Sequence, residues 1–113
     1  MVTVTITKNA SKQYIGIQSH GHAGFAQKGQ DIVCAAVSVL VINTLNSIEV
    51  LTKDKDLMKI TVNEEEGLID CRFSSAVSKE TILLLDAMVL GLEQIQEQYS
   101  KKYLKLIRKE QEV

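Results

Sequence analysis

Three observations predict an α+β fold in which two long helices pack on one face of a mostly antiparallel sheet. Short segments near the start, the middle and the end of the chain alternate polar and apolar residues with period two, as half-buried strands do. Two longer segments carry apolar residues at helical spacing instead. The resulting order, β-β-α-β-β-α-β, leaves two amphipathic helices and one apolar sheet face that must cover one another.

Each element has its own signal. Val2, Val4 and Ile6 alternate with threonines, and the polar stretch 8–12 reads as a turn. The second strand runs from Gln13, with Ile15 and Ile17 on one face and Tyr14, Gly16, Gln18 and His20 on the other. Residues 21–30, GHAGFAQKGQ, hold three glycines and read as a loop. Asp31 is a good N-cap for a helix over 32–51, which contains no glycine or proline. That helix is apolar on nearly all sides as far as Ile42, so burial on more than one face is expected. The charged segment TKDKD reads as an exposed connection. Met58, Ile60 and Val62 alternate again, NEEEG forms a turn, and 68–73 returns as a second hairpin strand. Ser78 caps the second helix with Glu80 in its first turn, and Leu84, Met88, Leu92, Ile95 and Tyr99 make its core stripe. Residues 101–108 fit either a continuation of this helix or a final strand, and the strand completes the sheet.

Composition limits the function classes. The 113 residues fit one domain, 1–113, and are 45% hydrophobic and 24% charged with a formal net charge of −1, as in ordinary globular chains. That balance suggests no nucleic-acid groove and no membrane surface. The longest nearly apolar run, 32–42, is eleven residues, short for a bilayer. MVTVTITK lacks the marks of a signal peptide, and two cysteines without a disulfide-rich pattern suggest free thiols in the cytoplasm, with a Cys34–Cys71 bridge left open. Segment 99–113 carries a local charge of +3 and 49–70 one of −4, and both read as solvated faces.

The chemistry concentrates in His20-Gly21-His22, the glycine-rich loop and Asp31-Ile32-Val33-Cys34. With Asp31 as cap, Cys34 falls at the third helical position, where the helix dipole favours a thiolate. A histidine from the neighbouring strand end would complete an activated nucleophile. Two alternatives stand beside this. Cys34 lies in an apolar run, and spacing alone favours a small core residue over a nucleophile. His20, His22 and Cys34 could also be metal ligands, although structural zinc requires a fourth.

Gly21-His22-Ala23-Gly24, followed by Gly29-x-Asp31-Ile32-Val33-Cys34-Ala35-Ala36-x-Ser38, resembles the signature of the ribosomal-processing cysteine protease family, Prp. The resemblance extends over essentially the whole chain. It implies an endopeptidase of Firmicutes and related bacteria that removes an N-terminal extension from a large-subunit ribosomal protein, the one numbered twenty-seven, cutting after a phenylalanine. It assigns the nucleophile to Cys34 and its histidine partner to His22, and gives His20 no role. Gly21, Gly24, Gly29, Asp31 and Ser38 become candidate supporting or substrate-binding positions. Homodimers are implied, in keeping with the over-apolar first helix, and no cofactor or metal is. Cys34 would attack the scissile carbonyl, with backbone N–H groups at the helix start holding the oxyanion. His22 would protonate the leaving amine and then activate water. Loop 23–30 joins the two residues and reads as a substrate gate. The rival function is a non-catalytic ribosome-associated binding factor in which Cys34 only packs.

Overall fold

The computed structural model describes residues 1–21, 28–99 and 102–111, with the backbone alone for 28–31. The elements run β1 (Val2–Lys8), β2 (Tyr14–His20), α1 (Lys28–Leu51), a 3-10 turn (Lys55–Leu57), β3 (Met58–Asn63), β4 (Leu68–Phe73), α2 (Lys79–Tyr99) and β5 (Leu104–Glu110). The strands form one sheet in the order β3-β4-β2-β1-β5. Every pairing is antiparallel except β1 with β5. The α+β architecture and the final strand follow the expectation.

The threonine alternation in β1 sends Val2, Val4 and Ile6 to the helix-covered face, where they join Val33, Val37, Val41 and Ile48 of α1 and Leu85, Met88 and Leu92 of α2 in one core. Over Ile32–Leu51, α1 is long and apolar enough to cross a bilayer by length and composition, which the eleven-residue run did not anticipate. Its fully buried valines and Ile48 are the seam against the sheet. In α2 the buried line is Thr81, Leu85, Met88 and Leu92, with Leu84, Ile95 and Tyr99 on its flank, so the stripe is rotated slightly from the one expected. Gly91 packs against Leu40 of α1, and a Cβ there would stand 2.8 Å from Leu40 Cδ2, so a larger residue requires that side chain to shift.

Two local expectations are corrected. The β1–β2 register slips between Thr7 and Lys8, so that Lys8 pairs with Tyr14 and Thr7 with Gly16. Ile15 is the extra residue of this bulge, and strict alternation fails there. Tyr14 therefore turns to the helix side, where it is 4% exposed, donates a 2.6 Å hydrogen bond to Asp86 of α2 and lies under the Lys8 ammonium. Burial, then the bond to Asp86, pushes its phenol well above the ordinary range.

The TKDKD connection is not uniformly exposed. Asp54 is 2% exposed, and its Oδ2 accepts hydrogen bonds from the Ser78 N–H (2.8 Å), the Ser78 hydroxyl (2.7 Å) and the Thr81 hydroxyl (2.5 Å). Burial raises this carboxyl, but the bonds from Thr81 and Ser78 and the charge of Lys53 outweigh it and hold the group below its usual range. Ser78 does precede α2 as expected, and Asp54 is the residue that locks it in place.

Candidate active site

β2 and α1 meet at one end of the sheet. β2 ends at His20, and Gly21 turns the chain with φ at +118°. A Cβ at Gly21 would stand 2.5 Å from the Met1 carbonyl oxygen and 3.3 Å from Val2 Cα, so only glycine fits this turn. The strand has therefore ended before His22, and the alternation that would have sent His22 to the open face no longer applies.

His22, Ala23 and Gly24, with the rest of 22–27, lie outside the described residues, as do the side chains of Gly29 and Asp31. Of the loop read as a gate, Lys28–Gln30 belong to α1. His20 pairs with Thr3 and is exposed, while Val2 and Val4 beside Thr3 are buried under the helices. His20 thus stands on the open face of the sheet, across it from Cys34, and cannot partner that thiol.

The helix start is also corrected. α1 begins at Lys28, so Asp31 is inside its first turn rather than its N-cap, and Cys34 is the seventh helical residue rather than the third. The competing signal was the three glycines in 21–30, of which Gly29 is tolerated within the first turn. The consequence is electrostatic. An anion is favoured within the first turn of a helix and little beyond it, and Cys34 lies beyond that turn. Only the N–H groups of residues 28–31 lack intrahelical acceptors. These lie roughly 4.5 to 9 Å N-terminal of Cys34 along the axis, and the Cα–Cβ bond of Cys34 tilts back toward them.

Helical spacing places Asp31, Cys34 and Ser38 on one face of α1. Cys34 and Ser38 are half-buried, and Cys34 packs against the edge of the core. Ala36, Leu40 and Asn43 face α2 across an apolar groove with Gly91 and Ile95. Cys34 lies roughly half a turn away from that side. Both cysteines are free. Cys71 is 0% exposed in β4, and burial, helped by Asp70, pushes its thiol up to about 12. Among the described residues no group of three His, Cys, Asp or Glu side chains gathers as a metal site would require. A separate cleft, lined by Lys8, Lys12, Tyr14, Val89 and Arg108, lies at the other end of β1.

The described residues form a small α+β protein with one half-buried thiol on a helix flank and one enclosed thiol in the sheet, an arrangement compatible with the class of cysteine-dependent enzymes. The comparisons agree. The family profile of cysteine protease Prp matches residues 1–105, and the chain belongs to that family. It is 32% identical over 103 residues to the ribosomal processing cysteine protease Prp of Bacillus subtilis, covering 88% of this chain and 90% of the relative. It is 31% identical over 101 residues to the Staphylococcus aureus protein of the same name, covering 89% and 93%. The S. aureus protease solved with a substrate peptide superposes with a TM-score of 0.88 at 29% identity, covering 96% of this chain and all of that one. The form with a covalently linked product peptide gives 0.83 at 30% identity, with coverage of 96% and 100%.

Proposed function

We propose that this chain is a cysteine endopeptidase that removes an N-terminal extension from a ribosomal protein precursor, with Cys34 as nucleophile and His22 as its acid and base. The observation that carries this is the position of Cys34, half-buried on the flank of α1 at the end of the sheet where Gly21 releases β2 toward His22. Membership of the Prp family and the peptide-bound relatives support it.

In this reading Cys34 Sγ attacks the scissile carbonyl carbon. The C–N bond then breaks as His22 delivers a proton to the amine, leaving a thioester. Water, losing a proton to His22, hydrolyses that thioester and restores the thiol. Because α1 starts at Lys28 and Cys34 lies beyond its first turn, this reading gives the proton of the thiol to the His22 imidazole. The free N–H groups of 28–31 are the nearest donors for the oxyanion. Gly21, Gly24 and Gly29 serve backbone geometry, and Asp31 and Ser38 flank the nucleophile on its own face.

The substrate in this reading is the large-subunit protein numbered twenty-seven. The enzyme is a cytoplasmic homodimer that binds no nucleic acid directly and works without a cofactor. Purified protein is incubated with the extended ribosomal protein and the fragments are weighed by mass spectrometry. Two fragments that sum to the precursor plus one water are expected, and none with Cys34→Ser or His22→Ala. An intact precursor with the wild-type chain overturns the proposal. Retained function in the folded Cys34→Ser variant returns Cys34 to a packing role. Sedimentation of the same sample tests the dimer.

A further inference from the structure

The two edges of the sheet are finished differently. At β5, α2 covers the strand: Leu104 is fully buried, and Arg108 reaches back to Glu93 of α2 at 2.9 Å. At β3, every residue after Met58 is exposed. Ile60 pairs with Cys71 and Val62 with Ile69, so both point to the same side as the fully buried Cys71. Yet Ile60 is 41% and Val62 59% exposed. Two β-branched residues thus extend the core face of the sheet into solvent, next to an unpaired strand edge. Edges are usually blunted by charge or cover. Here Lys59 lies on the opposite face, and the helix-side face of β3 carries no charge.

This strip belongs to the catalytic end. Val62, Ile69 and Ser19 stand in one row across β3, β4 and β2, roughly 10 Å from first to last, and Ser19 is followed by His20 and the Gly21 turn. β3 then runs into the turn residues Glu64, Glu65 and Glu66, all exposed. Segment 49–70 as a whole carries a local charge of −4.

We infer that β3 is the docking edge for the polypeptide substrate: a segment flanking the scissile bond adds to the sheet as a sixth strand. Its alternate apolar side chains lie on Ile60 and Val62, and its cationic residues meet Glu64–Glu66. An extended chain gains main-chain hydrogen bonds from such an edge and specificity from alternate side chains. The acidic turn selects a basic peptide, which accords with a substrate from a nucleic-acid-binding particle. The inference rests on the endopeptidase reading above and adds to it where the substrate lies and what it must contain.

The test compares wild type, Ile60→Thr/Val62→Thr, Glu64→Gln/Glu65→Gln/Glu66→Gln and, as a control at an exposed apolar residue of α2, Leu83→Gln. The substrate is a peptide spanning the cut with about eight residues on each side, at low and high salt. Threonine keeps strand propensity, and circular dichroism checks the fold. The expected result for the double variant is a KM raised about tenfold with kcat within twofold, since uniform binding is lost. The glutamine variant should lose most of the salt dependence of KM, and Leu83→Gln should match wild type. Cleavage by wild type with an unchanged KM in the double variant overturns the docking edge alone. No cleavage by wild type overturns the endopeptidase reading and the docking edge with it. Conversion of a dimer to a monomer by the double variant assigns the strip to a second copy of the chain and also overturns the inference.

Discussion

Cys34 and Cys71 carry the same functional group at two depths of one fold. Cys71 sits in the fourth strand with no exposed surface, opposite Ile17 and Ile60, and its neutral form is favoured by burial up to about 12. Cys34 rests on the flank of a helix, half-open, at the end of the sheet where the second strand releases its chain. The two helix starts differ in the same way. α2 begins on the Asp54–Ser78–Thr81 knot, with its polar groups bonded to one another, whereas α1 begins at the connection from β2. The start of α2 is closed by these hydrogen bonds. Burial, more than residue type, separates the enclosed sulfur of Cys71 from the half-open one of Cys34.

Five substitutions at four positions test that contrast. The largest effect belongs to Cys34→Ser, which should lower kcat/KM by at least about 1000-fold while leaving the melting temperature within about 2 °C of wild type. A large fall in melting temperature would instead mark Cys34 as a packing residue. Next, Asp54→Ala strands the Ser78 N–H and two hydroxyls, and should cost about 3 kcal/mol in urea unfolding without changing kcat once the protein is folded.

The same carboxylate fixes a pH dependence. Its folded value is depressed, so its stabilisation is complete above the unfolded value of about 3.9 and is lost as pH falls through the lower folded value. Asp54→Asn should flatten the acid limb of the melting curve below about pH 5, and an unchanged acid limb would remove Asp54 from that role. Gly21→Ala, which forces a Cβ against the Met1 carbonyl, should reduce cleavage about 100-fold, more than its stability loss of about 1–3 kcal/mol explains, because the turn aims the chain that holds His22. Smallest is Cys71→Ala, costing about 1 kcal/mol with cleavage intact. In the wild type, iodoacetamide at pH 7 should label Cys34 directly, and Cys71 only at the rate of unfolding. Equal labelling of both would erase the distinction.

The element order, the strands 68–73 and 104–110 and the pairing of Ser78 with the start of α2 were legible because period-two and period-3.6 patterns are local. The candidate residues Gly21 and Cys34 were legible through their motif, and the position of His20 on the wrong face follows from strand alternation. Three features were not. The bulge at Ile15, which turns Tyr14 toward Asp86, depends on a register shift between two strands. The early start of α1 overrode a strong N-cap signal at Asp31, because a cap residue also functions inside a first turn, where its charge favours the dipole. Asp54 looked like one more surface charge, and its partners lie 24 and 27 residues ahead in sequence.

By itself the amino-acid order determined which segments are strands or helices, which faces are apolar, and which two residues are joined through a glycine turn, since all of these depend on neighbours a few positions apart. Only the tertiary structure decided which cysteine is enclosed, which acid is buried and which sheet edge is left uncovered. Those properties are set by the layering of helices on strands, and a side chain's solvent, dielectric and partners come from residues distant along the chain.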